Sequence, residues 1–468
     1  MLPLSLLLSC ALKVAPPPEA AVPSQPWLDQ IDWDTAGREA AELLSAYIQV
    51  DTTNPPGNET LGAEFLGTIL DGEGIPYEIV ASAPGRGNVI ARLDSPTDIQ
   101  PPLCLMSHID VVTADVENWS TDPLSGEIRD GYVWGRGALD MKGMGILEVL
   151  TMAWIKRMNI PLQRDIVLLA VADEEVHNTG AIFLAEERWA DIGCSHLINE
   201  GGIGLIDMLF EGQTVYPISV GEKGHLWLKM IARGEPGHGS TPRPGEAPRV
   251  LVEAINKLED RKIDIQIHDS LMELLSSVGD DKGGLNGFIM KRPWLVKRLV
   301  KPKLMKSPLT RAGIIDTVHL TGLHGYNSPN VVPSEVFALL DCRTLPDTDP
   351  RDHLAYIKEI VGDGLELEII SSTQGNLSSW QGDPLYEAIA RQVTRQGHVP
   401  GPVISVGFTD SIYMRPLGVQ AFGFMPFELT GEDMVTFHGN DERISIVNLR
   451  RGLEMMMGAV LEVSAAKQ

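Results

Sequence analysis

Cysteine is scarce, four residues in 468. No pair has the spacing of a cysteine-type zinc motif, and nothing resembles a disulfide framework. Cys104 and Cys342 sit in strand-like apolar runs and Cys194 lies near another, so all three read as buried thiols. Positive charge is short as well: 38 Lys and Arg against 63 Asp and Glu leave a net charge of −25. That argues against a general nucleic-acid partner, because phosphate binding needs a basic surface; solubility is the simpler consequence of the acidity. Beyond the first residues, no stretch is long and apolar enough to span a bilayer as a helix. Gly-x-Ser-x-Gly is absent, which disfavours a serine hydrolase, and so is His-Glu-x-x-His, which disfavours a single-zinc protease.

The chain is 43% hydrophobic and too long for one simple core, so two domains or one domain with a large insertion are expected. Residues 1–9 are apolar, and Leu7-Leu8-Ser9-Cys10 resembles the lipobox of a bacterial lipoprotein, in which Cys10 would be acylated. Export to the periplasm or lipid anchoring is one expectation, and a cytoplasmic protein with an unstructured start is the other. Residues 15–26, rich in Pro and Ala, read as a spacer, so residues 1–25 are set aside as leader and spacer.

From residue 34 the pattern is helical as far as 47, and it stops at the breaker cluster Asn54-Pro55-Pro56-Gly57. A second helix is predicted over 59–70. Strand-like runs follow at 77–81, 88–93, 103–106 and 166–172, alternating with helices near 144–158 and 181–189, and then comes the run 196–198. Such alternation predicts an α/β fold with a parallel or mixed sheet covered on both faces. The run Leu103-Cys104-Leu105-Met106 ends in Ser107-His108-Ile109-Asp110. In an extended strand His108 and Asp110 share a side, so the Asp110 carboxylate can hold one ring nitrogen of His108 while the other binds a cation. Asp140, Glu174 with Glu175, and Glu200 also fall at strand ends or glycine-rich turns. Singly, each has a bland reading as a helix cap or a solvated turn. Together they form a nitrogen and oxygen ligand set suited to Zn²⁺ or another divalent ion, because packed carboxylates without cations repel one another.

The ordered series Asp51-Thr52-Thr53-Asn54-Pro55-Pro56-Gly57, His108-Ile109-Asp110, Gly135-Arg136-Gly137 through Asp140-Met141-Lys142-Gly143, Asp173-Glu174-Glu175, Glu200-Gly201-Gly202, Gly237-His238-Gly239-Ser240-Thr241-Pro242 and Phe437-His438-Gly439-Asn440-Asp441-Glu442 resembles the aminoacylase and carboxypeptidase family of co-catalytic zinc hydrolases. The resemblance covers nearly the whole chain after the spacer. It implies two Zn²⁺ per subunit, with Co²⁺ or Mn²⁺ as substitutes. Asp140 would bridge them, His108 and Glu200 would complete one site, and Glu175 and His438 the other. Asp110 would orient His108, and Glu174 would be the general base. It also implies a cis Asp140–Met141 peptide. The implied activity is cleavage of an amide bond next to a free carboxylate, by a carboxypeptidase or an N-acyl amino acid hydrolase acting on small peptides or N-acyl amino acids. A deacetylase or desuccinylase of a biosynthetic intermediate, or a non-catalytic binding module on the same fold, are the alternatives.

Residues 223–375 change character. Their β-α-β-β-α-β order suits a ferredoxin-like sandwich, which in the family is a lid that dimerises, inserted between catalytic halves at 26–222 and 376–468. His238 would then reach the partner's active site and polarise the scissile carbonyl. Asn330, Arg343, Gly407 and Thr409 match positions that hold substrate. The lid is lengthened near 270–315. There, residues 282–311 hold nine Lys or Arg and no acidic residue. Trp294, Leu295, Val296, Leu299 and Val300 alternate with Lys291, Arg292, Lys297 and Arg298, a pattern that suits a helix lying on an anionic membrane. An amphipathic helix packed on the lid sheet or on the partner's lid, with its lysines in water, is the commoner arrangement of such a pattern and is the favoured expectation.

Overall fold

The computed structural model describes residues 26–97, 99–325 and 328–466; Cys10 and the spacer lie outside the described residues. The central sheet has nine strands. Its order runs Tyr77–Ala83, Arg86–Leu93, Ile166–Val171, Leu103–His108, His196–Ile206, Gln420–Leu429, Thr214–Glu222, Asn376–Leu377, and Val399–Ser405 pairs with Thr214–Glu222 from the side. Leu103–His108 is parallel to both of its neighbours, and Gln420–Leu429 is parallel to His196–Ile206. The strand at 86–93 is antiparallel, so the sheet is mixed.

Successive side chains of a strand point to opposite faces, and the two faces here feed two cores. Leu103, Leu105, Ile166 and Leu168 join the larger core with helices Trp33–Ile48, Lys142–Arg157 and Ile446–Ser464. Cys104, Met106, Val167 and Leu169 join the core on the other face with Ala181, Leu184 and Met414. Burial on both faces is why these strands are continuous apolar runs with no polar alternation. The result is a three-layer α/β domain.

A second, four-stranded antiparallel sheet has the order Thr317–His324, Glu335–Thr344, Gly224–Arg233, Glu366–Thr373. With helices Ala247–Glu259 and Pro350–Val361 packed on it, this is the ferredoxin-like arrangement. One stretch between lid elements behaves differently. Helix Asp269–Lys282 leaves the lid and packs Leu274 and Val278 against Val215 and Val399 at the edge of the central sheet.

One reading needs correction. Cys104 and Cys194 are not free thiols but form a disulfide across 90 residues of sequence. The parallel register that pairs Leu103 with His196 carries Cys104 to the entrance of the neighbouring strand, where Cys194 stands. Cys342 is free and buried, and burial pushes its thiol up to about 12.

Candidate active site

The parallel strands bring their C-terminal ends to one rim, the place where open α/β sheets gather ligands. His108 is the last residue of its strand, and Glu174 and Glu175 follow the end of the adjacent one at Val171. Glu200 lies within His196–Ile206. Asp140 sits just before helix Lys142–Arg157, and its peptide bond to Met141 is cis. His438, with φ of 55°, lies in the turn after the short helix Gly431–Met434.

Asp140 stands at the centre. Its Oδ1 lies 3.0 Å from His108 Nε2, and its Oδ2 lies 2.6 Å from His438 Nε2. Glu200 Oε1 is 4.0 Å from the same nitrogen of His108, and Glu175 Oε1 is 3.3 Å from that of His438. Two triplets result, His108 with Asp140 and Glu200, and Asp140 with Glu175 and His438. Within each, the ligand atoms lie within 4.8 Å of one another, so that small side-chain adjustments bring all three to the distance of about 2.0–2.2 Å at which zinc is held.

Asp110 holds the site in two ways. Its backbone carbonyl is 2.9 Å from His108 Nδ1, closer than its carboxylate at 3.5 Å. The carboxylate accepts hydrogen bonds from the amides of Glu174 and Glu175 at 3.0 and 3.1 Å and from Asn54 Nδ2 at 2.8 Å. One aspartate thus fixes the histidine ring and the loop that carries two further acids. Arg86, paired with Glu59 and Asp173, backs this network.

The electrostatics favour cations. Burial raises the pKa of Glu174, Glu200 and Glu175, and neighbouring carboxylates add to the rise. Asp410 is raised to about 7, chiefly by burial. Burial works against ionised Asp140, but hydrogen bonds from the two histidines outweigh it and hold its carboxyl well below the usual range. Hydrogen bonds to Asp140 and Glu175 raise His438 to about 10. His108 also ends well above its ordinary value, because Asp110 and Asp140 overcome the opposing effect of burial. Glu175 Oε1 is buried, and His438 Nε2 at 3.3 Å is the one cationic group paired with it among the described residues. So many buried carboxylate oxygens with so few donors fit a pair of divalent ions, and both triplets offer the oxygen and imidazole donors that zinc takes.

Glu174 differs from its neighbours. Asp110 fixes its amide, and its carbonyl accepts from Asn178. Among the described residues its carboxylate enters no hydrogen bond or ion pair, and it belongs to neither triplet.

The other candidate residues fall at the lid and at the loop beneath it. His238 and Asn330 come together on one two-stranded antiparallel ribbon, where His238 pairs with Val331 and Gly239 N donates to Asn330 O at 2.8 Å. His238 is exposed, its ring bonded to Ser240, and none of its bonds reaches the Asp140 cluster of its own chain. Arg343 grips Asp341 with two nitrogens, at 2.7 and 3.1 Å, and lies over Phe408 at 5.3 Å. Gly407, beside Phe408, has open space where a side chain would stand. Thr409 turns inward, donating its amide and hydroxyl to Glu222 at 2.9 and 2.7 Å. Glu222 in turn is paired with Arg415 at 3.0 Å. The hydroxyl of Thr409 is therefore committed to the loop's own support, and Gly407 is the open position of the pair.

Reading the sequence missed Glu442 as a supporting residue, although it ends the Phe437–Glu442 motif. Its Oε1 accepts from the amides of Leu139 and Asp140, at 2.7 and 3.1 Å, and its Oε2 from Arg136 at 2.5 Å.

Comparison with known proteins decides the family. Residues 104–462 match the model of peptidase family M20/M25/M40. The chain belongs to that family. Human N-fatty-acyl-amino acid synthase/hydrolase PM20D1 is 29% identical over 432 residues, covering 86% of this chain and 84% of that protein. Pig aminoacylase-1 is 25% identical over 444 residues, covering 92% and 98%. Probable carboxypeptidase S-like 2 of Dictyostelium discoideum is 29% identical over 368 residues, covering 75% and 69%. Among solved structures, the M20 family metallo-carboxypeptidase Sso-CP2 from Sulfolobus solfataricus superposes with a TM-score of 0.69 at 18% identity, covering 91% of this chain and 99% of that one. That likeness establishes the fold. The M20 chain is a hydrolase of the peptidase and aminoacylase class.

Proposed function

We propose that this hydrolase holds two zinc ions and cleaves an amide bond next to a free carboxylate, with small peptides or N-acyl amino acids as substrates. One observation carries the proposal: Asp140 belongs to both ligand triplets, and the uncommitted carboxylate of Glu174 feels the charges of Glu200, His108 and Glu175 within them. His108 and Glu200 would hold one ion, Glu175 and His438 the other, with Asp140 between; Co²⁺ or Mn²⁺ could replace zinc at such donors. When bound, the ions supply Lewis acidity and make a water nucleophilic near neutral pH. Glu174 takes the proton of the attacking water at its carboxylate. It then delivers that proton to the amide nitrogen as the C–N bond breaks, so the amine leaves neutral. Asp110 keeps Glu174 in place through its amide. Gly407 leaves room for the substrate's carboxylate end.

The names of PM20D1 and aminoacylase-1 favour acyl-amino acid substrates. A substrate panel tests this: dipeptides and N-acyl amino acids of rising chain length, each also supplied as its carboxyl ester or amide. The proposal expects hydrolysis only where the carboxylate is free, and equal turnover of the blocked compounds would contradict it.

We further infer a homodimer joined through the lid. His238, exposed and with its ring bonded only to its own turn, then enters the partner's cleft and polarises the carbonyl. The Cys104–Cys194 disulfide and the lipobox-like leader support export, because disulfides persist in oxidising compartments.

A further inference from the structure

Residues 284–311 stand out from the body of the protein. Only Gly287 and Val296 in this stretch are buried, and none of its side chains contributes to the lid core. A helix packed on this chain's own lid sheet is therefore not what forms. The stretch is a run of short helices, Gly284–Met290, Pro293–Leu295, Lys301–Leu304 and Pro308–Ala312, with a wide turn at Val296–Val300. Its base is anchored: Gly287 closes on Gly279 of helix Asp269–Lys282, which packs on the central sheet, and Met290 reaches the same apolar cluster. Beyond the base, Leu285, Phe288, Trp294, Leu299 and Leu309 are exposed, Trp294 to 64%. Among the described residues, the exposed phenylalanine and the exposed tryptophan both fall here.

Charge says what such a surface fits. Lys291 is paired with Asp280. Among the described residues, Lys297, Arg298, Lys301, Lys303, Lys306 and Arg311 have no carboxylate within ion-pair distance. Unneutralised cations interleaved with exposed aromatic and aliphatic side chains, on a chain of net charge −25, make a strongly polarised molecule. A second copy docked with its two-fold axis through this patch would set it against itself, cation to cation, and is disfavoured. An anionic bilayer suits both features. Its phosphates would meet the Lys and Arg heads while the side chains of Trp294, Phe288 and Leu299 enter the headgroup boundary.

We propose that residues 284–311 are a docking surface for an anionic lipid membrane. It would hold the enzyme at the surface and does not depend on the identity of the substrate.

The test uses the full chain with Cys10→Ser, so that acylation plays no part. Protein is sedimented with vesicles of phosphatidylcholine alone or of phosphatidylcholine with phosphatidylglycerol, at low and high salt. Binding is expected to the anionic vesicles at low salt and to be lost at high salt. Replacing Lys297, Arg298, Lys301 and Lys303 by Gln should weaken it by roughly 500- to 1,000-fold, at about fivefold per charge, while hydrolysis of a soluble substrate stays unchanged. Failure of the parent protein to bind anionic vesicles at low salt overturns the proposal, as does undiminished binding by a folded variant. A variant that converts a dimer to monomers in ultracentrifugation overturns it too, making the face an interface between copies. Should the variant not fold, the parent's response to lipid charge and salt decides the matter.

Discussion

Glu442 Oε1 accepts the backbone amide of Asp140 at 3.1 Å, so one buried carboxylate sets the turn from which another reaches both ligand triplets. Its other oxygen pairs with Arg136, which is itself buried. Glu442→Ala leaves that guanidinium with backbone carbonyls but no counter-charge, and two amides without their acceptor. Breaking a buried pair in this way costs about 3–5 kcal/mol, and loss of support behind a ligand weakens metal binding by about 10–100-fold. Thermal unfolding and zinc titration of Glu442→Ala should show both losses. Normal zinc affinity would mean that the Asp140 turn holds without Glu442.

Glu174→Gln removes a proton carrier without touching either triplet. Hydrolysis should fall by about 10²–10⁴-fold, with bound metal equal to that of the parent. Mixed with inactive His238→Ala protein and allowed to exchange subunits, it should regain part of the activity, because one mixed site then holds both groups. Lost metal would make Glu174 a ligand, and no rescue after proven exchange would confine His238 to its own chain.

What could be read from the sequence, and what could not, follows from the range of the signal. The strand ending at His108 is legible because burial on both faces makes it continuously apolar, and the helices over 33–48 and 247–259 announce themselves by local period. His108, Asp140, Glu174 and Glu175 are legible because each ends or follows a strand or a glycine turn, whereas Glu200 lies inside a longer strand than its short apolar run suggests and His438 is legible only through the family resemblance. The disulfide is not, because it depends on the register of two parallel strands whose cysteines lie 90 residues apart. Nor is the pairing of Tyr132–Trp134 with Arg443–Ser445, strands too short to show alternation. The seat of helix Asp269–Lys282 on the central sheet was also hidden, since an amphipathic helix does not say which apolar surface it covers.

Joining the strand that ends in His108 to the approach of the strand that holds Glu200, the disulfide closes a loop whose chain entropy corresponds to roughly 4–5 kcal/mol at most. Cys104→Ala with Cys194→Ala should lower the melting temperature by several degrees, and adding reductant to the parent under unfolding conditions should reproduce the loss. Equal melting of parent and double variant, with the parent's disulfide verified by mass, would remove the bond from the account of stability.

His225 carries a pH signature away from the metal ligands. Buried against Trp227 and Phe408, it is held down to about 4 by burial and by the charge of Arg343. An unfolded histidine titrates near 6.5. Between those values the unfolded chain binds the proton and the folded one does not, so this residue's stabilising effect is present above about 6.5 and lost as the pH falls toward 4. His225→Phe should flatten that part of the stability curve. An unchanged slope would show that other groups set it.

The account rests on Asp140 being shared by two ions, and counting bound metal tests that claim most directly. Purified parent protein, loaded with zinc and freed of excess, is expected to hold two ions per chain by elemental analysis, His438→Ala one, and Asp140→Ala none held tightly. One ion per chain in the parent, or two retained by Asp140→Ala, would contradict it.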